Sequence, residues 1–356
     1  MSKVYRAAII GAGSARQGGQ WFGMGHLHAE GYVRDGRCEL VAVADIKVEN
    51  GRALAERFSV PQVYTDHRRM LKQEKPDIVS VGTYPATHAP IVIDCAKSGV
   101  KAIHCEKPMA PTWGEARKMA AACAKRGVQL TFDHQRRFLE PFRLAREMAH
   151  DGTIGELRRV EGVCSNLYDW GTHWFDMFFF YNNETPAEWV IGQVDGRNHH
   201  TIFGVAIENQ GISHLKFADG VRGLLVTGHE ADLGCANRLV GTEGVIELHD
   251  PAPHLRVRAA GRRAWKGIKT ADGLHGGHAV YLAISDAIDC LETGDEPELS
   301  AARALRATEV IFATYESSRR RERVDLPLRT DDSAFLTMLE AGTWGQGTGE
   351  RGRGNG

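Results

Sequence analysis

Apolar positions in the first third of the chain fall in short, nearly unbroken runs, at residues 5–10, 39–45, 77–83, 102–105 and 129–133. Runs without polar alternation mark strands buried on both faces, as in a parallel sheet. Between them lie helix-forming stretches at 48–58 and 66–73. A third runs from the turn at 84–88 through Ser98, and a fourth starts at Thr112. Thr112 and Glu115 form a capping box, and Gly127 closes that helix. Strand and helix alternate at spacings that imply right-handed parallel crossovers, an α/β doubly wound sheet.

Beyond about residue 140 the pattern changes. One helix is expected at 141–151 and a long strand at 156–166. Short strands follow at 191–194, 205–208, 211–217, 223–227, 238–240, 244–248 and 255–259, split by turns such as Ala218-Asp219-Gly220. Strands joined this closely are antiparallel as a rule. Helices at 278–292 and 300–319 precede a last edge strand at 324–328. The expected organisation is therefore a Rossmann domain over 1–128, a second α/β domain over 129–330, and a tail over 331–356. Gly and Arg enrichment from Gly342 makes the end of that tail mobile.

Composition narrows the function. A length of 356 residues suits two domains. A net charge of −1 argues against nucleic-acid or anionic-membrane partners recruited by bulk charge. No apolar run reaches the length of a membrane span, and Met1 to Tyr5 enter a strand at once, so no leader peptide is expected. Seven scattered cysteines without a Cys-x-x-Cys pair fit a reduced, cytoplasmic protein with no structural zinc.

Three motifs carry chemistry. The first strand runs into Gly11-Ala12-Gly13, a turn that lets backbone approach a pyrophosphate. Arg16 stands where the third glycine belongs, and the pattern resumes at Gly25-His26-Leu27-His28. Residues 14–24 thus hold an insertion with Gly18, Gly19, Trp21 and Phe22, either a lid or subunit contact, or a plain surface loop. Asp45 ends the second strand, where a carboxylate reads a ribose 2′-hydroxyl and disfavours a 2′-phosphate. Lys47 nearby keeps NADP open beside NAD. Glu106-Lys107-Pro108 ends the 102–105 strand, and Pro108 keeps Lys107 extended so that it projects a cation over the crevice. Alone, such a pair is a solvated salt bridge. Finally, Asp169 and His173 in Asp169-Trp170-Gly171-Thr172-His173-Trp174-Phe175-Asp176 can face one cavity if a helix begins between them. A carboxylate beside an imidazole orients it, although the pair also suits a structural hydrogen bond. An Asp/His/Asp metal cluster is conceivable here, but no metal is assigned.

Taken together, Gly11-x-Gly13, Asp45, Glu106-Lys107-Pro108 and Asp169-x-x-x-His173 resemble the Gfo/Idh/MocA family of oxidoreductases, over roughly residues 4–328. The resemblance implies that the second domain carries a large, mostly antiparallel sheet used for homodimers or homotetramers. It also implies a nicotinamide cofactor over the strand ends. Gly11, Gly13, Gly25, His28, Asp45, Thr83, His88 and Glu106 are the expected cofactor contacts. Lys107, His173 and Asp169 are the expected catalytic residues. In alcohol oxidation His173 would take the hydroxyl proton, Lys107 would stabilise the developing alkoxide, and Asp169 would orient His173. Lys107 and His173 could exchange roles. The substrate is expected to be a sugar, cyclitol or related polyol. Arg137, Asp176 and Trp21 are the expected contacts, with Arg136, His88, His229 and His275 as further candidates. Two other functions are weighed: an NAD-dependent lyase or glycosidase that keeps the same lysine and histidine, oxidises transiently and eliminates, and a non-catalytic sugar-sensing regulator that keeps the cofactor fold, against which the intact Lys107, Asp169 and His173 argue.

Overall fold

The computed structural model describes residues 4–14 and 23–344. The insertion residues 15–22, Trp21 among them, and the Gly/Arg-rich end beyond Trp344 lie outside the described residues.

Strands β1 (Tyr5–Ile10), β2 (Cys38–Ala44), β3 (Gln62–Tyr64), β4 (Ile78–Val81), β5 (Ala102–Cys105) and β6 (Gln129–Phe132) form a parallel sheet in the order β3-β2-β1-β4-β5-β6. Helices α1 (Met24–Asp35), α2 (Val48–Phe58), α3 (His67–Glu74), α4 (Pro85–Ser98) and α5 (Trp113–Ala124) make the crossovers. The strands read as continuous apolar runs because both faces are covered. Ala8, Ile10, Val79 and Val81 face one core cluster, while Ala7, Ile9 and Val43 face the other. Strand order reverses between β1 and β4, which opens a crevice at the carboxyl edge. Ile10 pairs with both Ala44 and Val81, and Val81 with Cys105. That register brings Gly11, Asp45, Gly82 and Glu106 to one edge.

The second half contains α6 (Glu140–His150), β7 (Leu157–Cys164), α7 (Gly171–Tyr181), β8 (Ala187–Asp195), β9 (His200–Ile202), β10 (Val205–Ile207), β11 (Gln210–Phe217) and β12 (Arg222–Gly228). It continues with β13 (Asn237–Gly241), β14 (Val245–Leu248), β15 (Leu255–Arg258), β16 (Lys266–Ile268), α8 (His278–Thr293), α9 (Ala301–Arg320), β17 (Val324–Asp325) and α10 (Ala334–Glu340). Nine strands form a mixed sheet, β16-β15-β14-β13-β7-β12-β11-β8-β17, antiparallel except where β7 meets β12. Strand β11 alternates exposed and buried positions, so one face packs inward and the other stays open. Helix α7 is apolar nearly all round and buried at every position, as a core helix must be.

Several boundaries differ from expectation. Strand β8 begins four residues before 191, and β17 stops well short of 328. Strands β3, β9 and β16 are three-residue pieces without enough pattern to be seen. The segment 331–344 is no tail. Helix α10 packs on α9, with Phe335 stacked 5.3 Å from Tyr315. The two halves also interlock. Helix α8 lies on α1, and a Cβ on Gly31 would meet Ile284 Cδ1 at 2.6 Å. A layer of the first sheet is therefore supplied by chain far beyond residue 128. No described helix is long and apolar enough to cross a membrane.

Candidate active site

The glycine turn is a backbone cradle. Gly11 has φ +87°, and a Cβ there would sit 2.8 Å from the Gly82 carbonyl. Gly25, in the first turn of α1, would collide with the Gly11 carbonyl at 2.4 Å. A Cβ on Gly23 would meet the Ala12 carbonyl at 2.2 Å, so this glycine too is needed for the close backbone approach. Among the described residues no side chain caps α1, so its first-turn N–H groups other than that of His26, which bonds the Gly23 carbonyl, are open to an anion. Asp45 Oδ2 accepts from the backbone of Ala12 at 2.9 Å and of Gly13 at 3.4 Å, while Oδ1 accepts from Lys47 N at 2.9 Å. Tight glycines, an uncapped helix and a strand-end carboxylate fit a dinucleotide.

Lys107 projects from the end of β5 and donates to Asp169 Oδ1 at 2.6 Å and to its carbonyl at 3.2 Å. Asp169 is presented by a tight turn before α7. Asn166 Oδ1 accepts from the backbone of Asp169 at 2.6 Å and of Trp170 at 3.2 Å. The turn requires Gly171, whose Cβ would lie 2.9 Å from the Asn166 carbonyl. Below it Glu208 is fully buried, accepts from Leu167 N, and receives the Tyr315 hydroxyl at 2.7 Å. Burial pushes this carboxyl up to about 7, although both hydrogen bonds pull it down. Asn166 and Glu208 had no motif to reveal them, since neither is near Lys107 in the chain.

The expected Asp169–His173 pair does not form. Asp169 is committed to Lys107, and His173 Nδ1 is buried without a hydrogen-bond partner among the described residues. Burial, with Arg136, Lys107, His134 and His275 around it, holds the His173 imidazole well below its ordinary 6.5. His173 is thus neutral. His134 touches its ring edge-on at 5.7 Å and hydrogen-bonds Thr172 Oγ1 at 2.9 Å.

Beneath Lys107, on the parallel-sheet side, lies a second cluster. His28 Nε2 meets Glu106 Oε1 at 3.0 Å and Asp133 Oδ2 at 3.9 Å, and His104 Nε2 lies 3.8 Å from Asp133 Oδ1. Burial opposes charge on His28, but Asp133 and Glu106 outweigh it and lift the imidazole to about 9. Burial and the neighbouring Asp133 push Glu106 up. Burial pushes Asp133 up, but His28, His104 and Glu106 together outweigh it and hold the carboxyl below the usual carboxylate range. Ligand atoms of His28, His104 and Asp133 fall within 4.8 Å of one another, close enough for one small cation. The imidazolium of His28 meets the same electrostatic need.

Other expected site residues are diverted. His28 is enclosed and hydrogen-bonded to Glu106, which leaves it no surface open to a ligand. His88 is also enclosed. Its two nitrogens meet the carbonyls of Thr83, Pro108 and Met109 at 3.0–3.2 Å, which ties Thr83 to the turn after Lys107. Arg137 and Asp176 bind each other through two 2.8 Å contacts, and Arg137 also meets Glu184 and Glu298. Their polar atoms are spent on this network, which directs both away from substrate contact and separates Asp176 from Asp169 and His173 as a metal cluster. Trp21 lies outside the described residues, and His229 is exposed.

Residues 5–134 match the Gfo/Idh/MocA family model, described as an oxidoreductase family with an NAD-binding Rossmann fold. The D-apiose dehydrogenase of Paraburkholderia graminis is 26% identical over 374 residues, spanning 96% of this chain and 94% of that enzyme. The D-glucoside 3-dehydrogenase of Escherichia coli is 34% identical over 44% of this chain and 42% of its own length. A levoglucosan dehydrogenase in complex with NADH and L-sorbose superposes with a TM-score of 0.78 at 20% identity, covering 92% of this chain and all of that one.

Proposed function

We propose that this chain, whose residues 5–134 match the model of the Gfo/Idh/MocA oxidoreductase family with its NAD-binding Rossmann fold, oxidises a secondary hydroxyl of a sugar, cyclitol or related polyol. The observation that carries this is the Lys107–Asp169 ion pair, which joins the strand end of the parallel sheet to the mouth of α7 across the crevice. Sugar dehydrogenases among the relatives support the substrate class.

Bound NAD would accept the hydride from the carbinol carbon. His173, neutral and enclosed, takes the hydroxyl proton. Lys107, fixed by Asp169, donates a hydrogen bond to the oxygen as negative charge grows there. Asp169 positions Lys107, a role different from the one expected for it. Asp45 beside the glycine turn favours a free ribose 2′-hydroxyl, hence NAD over NADP. Copies of the chain pair through the open face of β8 and β11, where Ile191 and Ile212 stand exposed on one side.

A panel of sugars, sugar acids and cyclitols, assayed with NAD and NADP in parallel, tests the assignment. Stoichiometric NADH with at least one free substrate is expected. Turnover that leaves no net NADH would instead indicate transient oxidation followed by elimination.

A further inference from the structure

Two adjacent arginines share the 3₁₀ turn Gln135–Phe138, and both are buried. Arg137 is surrounded by the carboxylates of Asp176, Glu184 and Glu298. Arg136 has no ion pair with any described carboxylate. Among the described residues its Nε and Nη1 are buried without hydrogen-bond partners, and Nη2 reaches only His275 Nδ1, at 3.3 Å. The Trp170 and Trp174 rings lie 5.3 and 5.1 Å from its guanidinium carbon. A buried charge of this kind is retained when something pairs with it.

Its position says what that something is. Trp170 directly follows Asp169, the partner of Lys107, and Trp174 directly follows His173. The Arg136 charge is among those that keep His173 neutral. Lys107 is balanced by Asp169, so the wall of the site carries one uncompensated positive charge. Burial lowers Arg136 to about 10, which leaves it charged at neutral pH.

We propose that Arg136 receives the carboxylate of an acidic sugar, so that the preferred substrate is an aldonate or uronate and not a neutral polyol. This rests on the dehydrogenase assignment above. The planar guanidinium offers paired donors that match a carboxylate, and the flanking indoles exclude water from that contact. A carboxylate seated there anchors the sugar beside Lys107 and His173 and leaves the reacting carbinol free to meet both.

Matched pairs test it: D-gluconate against D-sorbitol and D-glucuronate against D-glucose, with NAD-loaded wild type, Arg136→Gln and Arg136→Lys. The wild type is expected to prefer the acid in kcat/KM. Arg136→Gln should reduce the acid-over-neutral ratio roughly 10–100-fold, the range of a lost charge-assisted contact. Arg136→Lys, which replaces the planar fork with a single ammonium, should fall between. D-gluconate should also raise Tm of the NAD-loaded wild type more than D-sorbitol does, and Arg136→Gln should lose that difference. Neutral sugars preferred by the wild type, or a ratio unmoved by both substitutions, would overturn the proposal. If no compound reduces NAD, the dehydrogenase assignment fails, and the carboxylate-dependent Tm shift still decides for or against Arg136.

Discussion

The two walls of the crevice hold histidines in opposite states. On the parallel-sheet wall, His28 is enclosed between Glu106 and Asp133 and lifted to about 9. Across from it, His173 is equally enclosed but faces Arg136, Lys107 and other imidazoles, which hold it neutral. Burial alone would neutralise both. The neighbours decide, so one wall holds a fixed cation under Lys107 and the other a neutral imidazole.

The contrast can be broken from either side. The largest effect is expected at His173. His173→Gln should lower kcat/KM about 10²–10⁴-fold with NAD affinity retained. Because the folded imidazole is depressed, wild-type kcat/KM should not lose activity to His173 protonation until the pH falls well below 6.5. An acid limb near 6.5 that vanishes in this variant would refute the neutral assignment.

Next is Arg137→Leu, which leaves Asp176 buried without its cation. A loss of about 3–5 kcal/mol in urea unfolding is expected. A loss below 1 kcal/mol would mean that water already screens this network.

His28 sharpens the comparison through pH. Its folded value of about 9 lies above the ordinary 6.5, so its contribution is complete below 6.5 and disappears as pH rises through about 9. That contribution is on the order of 3 kcal/mol. His28→Leu should flatten unfolding free energy over this window. An unchanged slope would contradict the imidazolium.

The smallest effect belongs to the support under Asp169. Tyr315→Phe removes a hydrogen bond to Glu208 and should cost about 1 kcal/mol of stability, while the Michaelis constant changes more than Tm. A pure Tm effect would show that Glu208 does not position the Asp169 turn.

The strand ends were legible in the sequence because their signals are local. The run 5–10 ending in Gly11, the run ending in Asp45, and the run ending in Glu106-Lys107 each carry period, breaker and charge within a few residues. Pairing across the crevice was not legible. Asp169 and His173 are four apart, which suggested a partnership, yet Asp169 bonds a lysine 62 residues earlier. His88 lies in the first turn of α4 and Arg137 in the 3₁₀ turn after β6, both close to the carboxyl edge of the sheet, but spacing does not say which way a side chain turns. Arg137 turned to Asp176, and His88 to backbone carbonyls. Helix α10 was hidden by the Gly/Arg-rich composition of the residues after it.

The most direct test is rapid mixing of NAD-loaded Lys107→Met with the best substrate of the panel, following NADH formation in a single turnover. Hydride transfer at least ~10²-fold slower than wild type, with NAD affinity and Tm preserved, is the predicted result. A first-turnover rate equal to wild type would contradict the claim that the Lys107 ammonium and the His173 imidazole act on one hydroxyl.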